Sequence, residues 1–493
     1  MKRRSAALKL AAGLPPFRYR RLPGTDLVVV TSDAGPSHVF CASDFEAYLR
    51  GAVAPEVAAA LVPKHLSLDG DREELIQAYR VRTRHLRVGP SLHIVALTLR
   101  CNQNCAYCHS SKLGPNAPDV DMGDAAARRV VDIIAQSPSP SVHVEFQGGE
   151  PLLAWDRLRL IVEEASARLL PARDLAFTVV TNLTLMDEEK LAWLFDRRVM
   201  ICTSLDGPSD LHDANRPWST GSSHASVVRW MGRIHQEYVS RGFDPEVARV
   251  GALLTVTRAT LARGREVVDE YVRQGLKAIH LRPLDPFGFA RASWDRVGYT
   301  GDEFLAFYRD TLDAIIDANL RGVQLVEKAA AIFLTKILTP DDPNYMDYRS
   351  PCGAGLGQVA YNYDGRVFSC DEGRMVGEMG DDLFCLGRAD ESTYEDLILG
   401  ETVKSLAVAS LLESSPQCDA CAYKPYCGVC PVYNYVAQGD LFGRMPTNER
   451  CRISMGIMDH LFRRLAADTD GRVEAILRRW TVNRSLSAAA EGG

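Results

Sequence analysis

Three cysteines stand close together in the segment LTLRCNQNCAYCHSS. Cys101, Cys105 and Cys108 lie on a loop that follows the predicted strand HIVALTL. Three thiolates on one loop can ligate three irons of one cubane cluster, which usually takes four protein ligands, so one iron would remain open. An open iron can chelate a small molecule and pass it an electron. The alternatives for this loop are a zinc site completed by a ligand such as His109, or three unrelated buried cysteines.

A second group of cysteines lies near the C-terminus, since eight of the 13 cysteines fall within residues 352–451. Cys418-x2-Cys421 followed by Cys427-x2-Cys430 would by itself fit a zinc ribbon. An odd, clustered set of cysteines in a chain without a convincing secretory signal indicates metal ligation rather than disulfides. We therefore expect a reducing compartment, the cytoplasm.

The elements that must position these thiols are strands and helices in regular alternation from Leu92 onward. This pattern predicts parallel βαβ units, an α/β fold with a closed or partly closed sheet. Such a sheet presents its working residues at the carboxyl ends of its strands. The six predicted strands are HIVALTL, VHVEF, AFTVVT, VMICTSL, VGALLTV and AIHLRPL.

Flanking segments divide the chain further. Short β-like runs at 27–30 and 38–41 predict a hairpin, Ser43 with Glu46 predicts a capping box for the next helix, and the charged segment 69–87 predicts a helical linker. GQVAYNYDGRVFSC predicts a second hairpin that turns at Asp364-Gly365. The predicted units are 1–88, a hairpin with helices; 89–340, the barrel; 341–465, a metal-stapled domain; and 466–493, a C-terminal helix and disordered tail.

Composition excludes several classes of function. The chain has 493 residues, a formal net charge of −6 and a pI near 6.0, which leaves no global basic field for a nucleic-acid partner. The sequence contains no uninterrupted run of about 18 apolar residues, the length that a transmembrane helix needs, so we expect no membrane partner. The start, MKRRSAALKLAAGLPP, faintly imitates a secretory signal but favours a frayed terminus.

The cysteine loop resembles the signature of the radical S-adenosylmethionine (SAM) superfamily. The resemblance implies a partial (β/α)6 TIM-like barrel in which Cys101, Cys105 and Cys108 hold a 4Fe-4S cluster. The open iron would bind the amino and carboxylate groups of SAM, whose reductive cleavage yields a 5′-deoxyadenosyl radical that removes a hydrogen atom from the substrate. Tyr107, the aromatic residue before the last cysteine, belongs to the implied cofactor site.

Further motifs follow in the order expected of that superfamily. Gly148-Gly149-Glu150-Pro151 resembles its Gly-Gly-Glu-Pro motif, whose open backbone and carboxylate suit the SAM ammonium. Asn182 matches a Thr-Asn-Gly motif in part, because Leu183 replaces the glycine. Ser204 and Asp206 resemble the pair that contacts the SAM ribose, and Arg216 resembles the arginine that pairs with the SAM carboxylate.

The C-terminal array resembles the SPASM domain of peptide-modifying radical SAM enzymes, which implies two auxiliary 4Fe-4S clusters and three clusters in all. The implied ligand sets are Cys418, Cys421, Cys427 and Cys451 for one cluster, and Cys352, Cys370 and Cys430 for the other. Two departures are the x2 spacing in the last pair and the absence of a cysteine between Cys352 and Cys370. The second cluster would then have an open iron, a substrate-derived ligand or Cys385 as its fourth ligand.

Asp371, directly after Cys370, matches a Cys-Asp pair that serves as general base in the sulfatase-maturating relatives. The alternative for Asp371 is a carboxylate that caps a turn.

The pattern of the whole chain is similar to the maturases of His-Xaa-Ser peptide systems. It implies oxidation or crosslinking of side chains in a ribosomally made precursor peptide, with an electron donor such as flavodoxin or ferredoxin. The N-terminal hairpin then offers a sheet edge to a leader peptide, or serves as a structural cap on the barrel. The alternatives are formylglycine formation or small-molecule radical chemistry, and a non-enzymatic iron–sulfur or zinc binding protein.

Overall fold

The computed structural model describes residues 14–67, 69–244 and 248–482. The expectations for the first 13 residues and for the tail SLSAAAEGG lie outside these residues. In the described part of the chain, no helix is long and apolar enough to cross a membrane.

The N-terminal part is a three-stranded antiparallel sheet followed by three helices. The predicted hairpin is present as β2 and β3, and the sequence did not predict β1, which pairs with the other side of β2. The predicted capping box is wrong, because α1 begins at Ala42 and places Ser43 inside its first turn. The elements are β1 (Arg18–Arg21), β2 (Leu27–Thr31), β3 (Ser37–Cys41), α1 (Ala42–Leu49), α2 (Pro55–Leu61) and α3 (Arg72–Arg82).

The central part confirms the α/β fold with a parallel sheet of six strands. The AIHLRPL segment forms two short strands rather than one, because the chain changes partner at His280. Its first half pairs with a strand at 326–327 and its second half pairs with the preceding strand of the main sheet. The strands are β4 (Leu92–Ala96), β5 (Ser141–Gln147), β6 (Asp174–Val180), β7 (Val199–Ser204), β8 (Gly251–Thr255), β9 (Ala278–Ile279), β10 (Leu281–Arg282) and β11 (Val326–Glu327).

Helices cover the outer face of this sheet. The first of them, α4, buries Val130, Val131 and Ile134 on one face, the spacing of an amphipathic helix. A capping box of Thr300 and Glu303 starts the longest helix, α12. The helices are α4 (Asp124–Ala135), α5 (Trp155–Leu169), α6 (Glu188–Asp196), α7 (Ser209–Asn215), α8 (Ser223–Ser240), α9 (Gly264–Arg273), α10 (Gly288–Ala292), α11 (Trp294–Val297), α12 (Gly301–Leu320) and α13 (Lys328–Leu338).

The cysteine-rich part is joined to the central sheet by a hairpin. Its first strand, β12, pairs parallel with β4 and so extends the sheet, and the turn lies at Asp364-Gly365 as predicted. The last two helices, α19 and α20, pack against α12 and α13. The elements are β12 (Gln358–Tyr361), β13 (Arg366–Phe368), β14 (Cys385–Arg388), α14 (Asp371–Gly377), α15 (Tyr394–Ile398), α16 (Glu401–Ser410), α17 (Pro416–Asp419), α18 (Pro431–Gln438), α19 (Glu449–Ala466) and α20 (Arg472–Trp480).

Candidate active site

The three loop cysteines line one cavity at the carboxyl ends of the central strands, with a volume of about 230 Å³. Burial raises the pKa of the Cys101 thiol to about 12 and that of Cys105 to about 11. A bound metal reverses this preference, because the thiolate is the form that ligates. The structure thus brings together the three thiols that the sequence predicted as one ligand set.

Hydrogen bonds hold the cysteine loop from several sides. The backbone N–H of Gly149 donates to the Thr98 carbonyl at 2.7 Å, and that of Ala106 donates to the Asn215 carbonyl at 2.9 Å. The backbone N–H of Phe289 donates to the Cys108 carbonyl at 2.8 Å. The segment around α10 therefore packs against the cysteine loop. No sequence motif predicted this contact.

His109, the candidate fourth ligand of a zinc site, is engaged by that same segment. Its Nε2 lies 3.0 Å from the Asp285 carbonyl oxygen. Burial lowers the pKa of His109 to about 4, so the ring is neutral near pH 7. Because a carbonyl only accepts, Nε2 carries the proton and donates it. Nε2 is therefore occupied by a structural hydrogen bond.

The two glycines of the Gly-Gly-Glu-Pro turn allow β5 to approach the cysteine loop. A Cβ at Gly148, which has φ of +130°, would lie 2.3 Å from the Thr98 carbonyl oxygen, and one at Gly149 would lie 2.2 Å from the Arg100 carbonyl oxygen. Backbone atoms cannot move aside as a flexible side chain would. Only glycine fits this contact between the two motifs.

Glu150 lies on the cavity wall and is 1% exposed. Its Oε1 accepts hydrogen bonds from the Thr181 hydroxyl at 2.7 Å and the Leu152 N–H at 3.0 Å, and its Oε2 accepts one from the Asn182 N–H at 2.9 Å. Burial raises the pKa of the Glu150 carboxyl, and these hydrogen bonds oppose that rise. A carboxylate has about four acceptor positions, so one remains for a donor in the cavity.

Asn182 also lines the cavity, and its turn is preserved although Leu183 stands where the motif has glycine. Leu183 adopts φ of +60° and is fully buried. A left-handed conformation costs a residue with a Cβ about 1–2 kcal/mol, which the buried leucine side chain offsets. The Asn182 side chain donates to Asn102 in the cysteine loop at 3.0 Å.

Asp206 is fully buried and is occupied by protein donors. Its Oδ2 accepts from the Tyr107 hydroxyl at 2.6 Å and from Arg216 Nε at 3.0 Å, while its Oδ1 accepts from Arg216 Nη2 at 3.4 Å and from the Thr255 N–H at 3.2 Å. The expectation that Asp206 contacts a ribose does not agree with this geometry, because all its acceptor positions are filled below the cavity wall. It positions Arg216 and Tyr107 instead.

Arg216, Tyr107 and Ser204 do line the cavity. The Arg216 guanidinium stands 5.2 Å from the centre of the Tyr107 ring, and Asp206 keeps the pKa of Arg216 above its ordinary value against the effect of burial. Its Nη1 has no acceptor among the described residues. Leu253, which pairs with Ser204 across β7 and β8, also faces the cavity.

Five C-terminal cysteines line a second, smaller cavity of about 50 Å³. Four of them, which we call the distal cysteine group, are Cys418, Cys421, Cys427 and Cys451, and the fifth is Cys430. Burial raises the pKa of Cys427 well above its ordinary value, and the three other thiols of the distal group act in the same direction. In the part of the chain that the structure describes, no three His, Cys, Asp or Glu side chains are grouped as a single metal ion would require. A cluster of four irons needs ligands that surround a larger space.

Cys352, Cys370 and Cys430, which we call the near cysteine group, pack in one apolar cluster and are at most 7% exposed. Burial raises the pKa of Cys370 well above its ordinary value, and Glu372, Cys430 and Cys352 act in the same direction. Cys352 acts to raise the pKa of Arg349, against the larger lowering that burial causes. The Nη2 atom of Arg349 is buried without an acceptor among the described residues. The three thiols, with the unused donor of Arg349 beside them, fit an anionic group that the thiols would hold.

Cys385 and Asp371 are placed less clearly for the roles that the resemblance implies. The Cys385 thiol lies 3.4 Å from the Gly387 carbonyl oxygen, and the charged groups that act on its pKa are Asp382 and Arg366. Asp371 is 7% exposed and pairs with Arg374, whose Nε donates to Oδ1 at 2.8 Å.

Residues 95–244 match the model of the Radical SAM superfamily. This chain contains a radical SAM domain. The matched segment runs from the end of β4 through α8 and includes the cysteine loop, the Gly-Gly-Glu-Pro turn and Arg216.

Curated relatives extend the similarity beyond this domain. The chain is 22% identical over 349 residues to the cysteine-type anaerobic sulfatase-maturating enzyme of Clostridium perfringens, a match that covers 68% of this chain and 87% of that protein. A match to the uncharacterized protein MJ0907 of Methanocaldococcus jannaschii is 25% identical over 194 residues and covers 39% of this chain and 62% of that protein.

Two solved structures share the fold. Native anSMEcpe with bound AdoMet has a TM-score of 0.63 at 19% identity, over 76% of this chain and 98% of that chain. SuiB of Streptococcus suis bound to S-adenosylmethionine has a TM-score of 0.52 at 13% identity, over 88% of this chain and 98% of that chain. The domain match identifies the chain as a radical SAM enzyme, and the two solved structures share its fold.

Proposed function

We propose that this radical SAM enzyme oxidises or crosslinks side chains of a ribosomally made peptide. The observation that carries the proposal is the cavity, which is lined by the three loop thiols and Glu150 and also by Arg282 and Met375. Met375 lies on α14, which begins directly after Cys370 of the near cysteine group. A substrate in this cavity would touch both the SAM site and the cysteine-rich part.

The residues of the cavity fit a cluster with bound SAM. When bound there, the reduced cluster and SAM supply the 5′-deoxyadenosyl radical that removes a hydrogen atom. Glu150 offers its remaining acceptor position to the SAM ammonium, and Arg216 offers Nη1 to the SAM carboxylate. Ser204 offers its hydroxyl to the ribose. Asn182 keeps the turn against the cysteine loop.

The two further cysteine groups would each hold an auxiliary 4Fe-4S cluster. The four thiols of the distal group lie around one cavity, which Cys430 of the near group also lines, and this supports the distal cluster. The unused buried donor of Arg349 supports the near cluster. For the near group the fourth position would be an open iron, a substrate-derived ligand or Cys385. Asp371 is our proposed acceptor of the proton lost on oxidation, in which case its pairing with Arg374 must loosen when substrate binds.

Peptide substrates are supported by two structural neighbours. These are anSMEcpe bound to the Cp18Cys peptide and SuiB bound to its precursor peptide SuiA. In this chain, the N-terminal sheet of β1, β2 and β3 would receive a leader peptide as a further strand at an edge. The narrower proposal of a His-Xaa-Ser peptide rests on the sequence pattern, as does the proposal of a flavodoxin or ferredoxin as electron donor.

A second candidate is formylglycine formation on a sulfatase. It is favoured by the match that covers 87% of the Clostridium perfringens sulfatase-maturating enzyme, together with the Cys370-Asp371 pair. Incubation with a sulfatase-derived peptide and with a peptide encoded beside this gene separates the two. A mass change in the sulfatase peptide alone would replace the first proposal by the second.

Iron analysis and mass spectrometry test the proposal. Anaerobically reconstituted protein should carry about twelve irons per chain, and changing Cys101, Cys105 and Cys108 together to Ala should remove about four and abolish SAM cleavage. The mass of a precursor peptide encoded beside the gene should fall after co-expression with the wild-type chain, because oxidation or crosslinking removes hydrogen atoms. Co-expression with the triple variant should leave the mass unchanged. An iron content near four in the wild-type chain, with zinc at the C-terminus, would refute the auxiliary clusters.

A further inference from the structure

The N-terminal sheet reaches the distal cysteine group through Arg20 on β1. Its Nε donates to Asp459 Oδ1 at 2.7 Å and its Nη2 donates to Oδ2 at 2.8 Å, a bidentate pair across 439 positions of sequence. The Asp459 side chain is 8% exposed and lies on α19, the helix that carries Cys451 near its start. Such a paired, partly buried geometry fixes the guanidinium in one place.

Tyr423 completes this arrangement from within the distal segment, since it stands between Cys421 and Cys427. Its hydroxyl donates to the same Asp459 Oδ1 at 2.7 Å, and the Arg20 guanidinium lies 5.6 Å from the centre of its ring. Tyr423 lines the same cavity as the four thiols of the distal cysteine group. Arg20 thus lies against a residue that forms the wall of the distal cavity.

Other contacts between the N-terminal part and the cysteine-rich part hold Arg20 in place. The Thr31 hydroxyl donates to the Ala422 carbonyl at 2.8 Å, and the Tyr426 hydroxyl donates to the Gly35 carbonyl. Arg82, at the end of α3, donates to the Pro425 carbonyl at 3.2 Å. The N-terminal part therefore holds residues 422–426, the segment between the thiols Cys421 and Cys427.

We propose that Arg20 raises the reduction potential of the distal cluster, because its positive charge stabilises the reduced form. This inference rests on the proposed auxiliary cluster. Reduction adds one electron from an external low-potential reductant and makes no new bond, so the net charge of the cluster falls by one. A fixed cation beside the cavity wall favours that change. The N-terminal part would thereby take part in the electron chemistry as well as in substrate recognition.

A potentiometric titration of the reconstituted holoenzyme, followed by electron paramagnetic resonance with dithionite as reductant, tests the charge. Arg20→Gln should leave about twelve irons in place and shift the distal signal to lower potential, by about 59 mV if the reduced form is stabilised tenfold less. Asp459→Asn should shift it in the opposite direction, because an anion is removed. Arg20→Lys should restore part of the potential.

Arg21→Gln is the matched control, because Arg21 is the exposed neighbour on the same strand and makes no contact with the distal segment in the described part of the chain. Unchanged potentials in Arg20→Gln and Asp459→Asn would overturn this inference but leave the proposed auxiliary cluster standing. Loss of about four irons in both variants would also overturn it, since that outcome indicates mechanical support rather than charge. A wild-type chain without a distal signal would refute the proposed auxiliary cluster, and the inference with it.

Discussion

At the scale of single residues, two acidic side chains that the motifs both assign to SAM binding have different surroundings in the structure. Glu150 lies on the cavity wall with three protein donors and one acceptor position left. Asp206 is buried below the wall with four donors and none left. Glu150 is therefore suited to bind a cation in the cavity, whereas Asp206 is suited to hold Arg216.

We expect Glu150→Gln to weaken SAM binding at least about tenfold, because a hydrogen bond to a charged group contributes about 1.5–3 kcal/mol. The iron content should not change. Anaerobic calorimetry measures the affinity. Glu145→Gln is the control, because Glu145 lies on β5, just before the turn that carries Glu150, and outside the cavity lining; this variant should bind SAM as the wild type does. Equal affinities in the two variants would place the ammonium elsewhere.

The Asp206–Arg216 pair predicts a change in stability. Arg216→Ala should lower the free energy of unfolding by about 3–5 kcal/mol, because it leaves a buried carboxylate without its partner. Removing both side chains should recover part of this loss. Chemical denaturation measures it, and Arg258→Ala, which breaks an exposed pair with Glu303, should change the free energy by less than about 1 kcal/mol. A similar small effect of Arg216→Ala would contradict the positioning role.

At the scale of elements, the site depends on how closely the end of β5 approaches the cysteine loop. The backbone N–H groups of Gly149 and Glu150 donate to the carbonyls of Thr98 and Arg100 at 2.7 and 2.8 Å. Two motifs that are about fifty residues apart thus form one backbone unit. A side chain at Gly149 would push them apart.

Gly149→Ala should therefore lower the iron content by about four per chain, the share of one 4Fe-4S cluster, and abolish SAM cleavage. The Cβ would meet the Arg100 carbonyl oxygen at 2.2 Å. Gly114→Ala is the control, because a Cβ there meets nothing within 4 Å among the described residues. Iron analysis and a SAM cleavage assay compare the two variants, and equal iron in both would mean that the loop relaxes around the added atom.

The junction of β4 and β12 predicts a pH dependence. Burial lowers the pKa of His93 to about 4, and its Nδ1 lies 3.0 Å from the Tyr361 hydroxyl across the two strands. The unfolded chain binds a proton at this residue below about pH 6.5, which the folded chain takes up only near pH 4. The contribution of His93 to stability is therefore complete above pH 6.5 and falls towards pH 4, by up to about 1.4 kcal/mol per pH unit.

His93→Gln should make the loss of stability between pH 6.5 and pH 4 shallower, because glutamine does not titrate. Urea denaturation at several pH values measures the slope. Tyr361→Phe removes the hydrogen bond and keeps the titrating ring, so it should retain the wild-type slope. Parallel slopes in wild type and His93→Gln would show that the acid sensitivity arises elsewhere.

At the scale of the whole molecule, the three parts are interlocked rather than strung along the chain. β12 extends the central sheet at β4, α19 and α20 pack on the central helices α12 and α13, and β1 bonds to α19 through Arg20 and Asp459. The N-terminal part consequently contacts the distal cysteine group. A cap and a recognition element are compatible roles for it.

Deletion of residues 1–88 should therefore remove about four irons, those of the distal cluster, while SAM cleavage at the loop cysteines remains measurable. The reason is the loss of the contacts that Arg20, Thr31 and Gly35 make with residues Asp459, Ala422 and Tyr426. Iron analysis and cleavage assays on the truncated chain test this. Twelve irons in the truncated chain would show that the N-terminal part serves substrate recognition alone.

Local patterns predicted much of the fold. The order of the central strands and the turn at Asp364-Gly365 follow from apolar periodicity and turn residues within short windows. The predictions failed where distant partners decide. β1 exists because β2 pairs with it and because Asp459 holds its Arg20. The break at His280 arises because β9 pairs with β11, about fifty residues away in sequence.

The sequence by itself determined the cysteine loop, the Gly-Gly-Glu-Pro turn and the cysteine pairs, because a ligand set and a tight turn are encoded in adjacent residues. Only the tertiary structure decided that Asp206 is buried beneath Arg216, that Leu183 keeps the left-handed turn of a missing glycine, and that Arg20 stands beside the distal thiols. These outcomes depend on burial and on contacts across as many as 439 positions, and a spacing pattern carries no information about either.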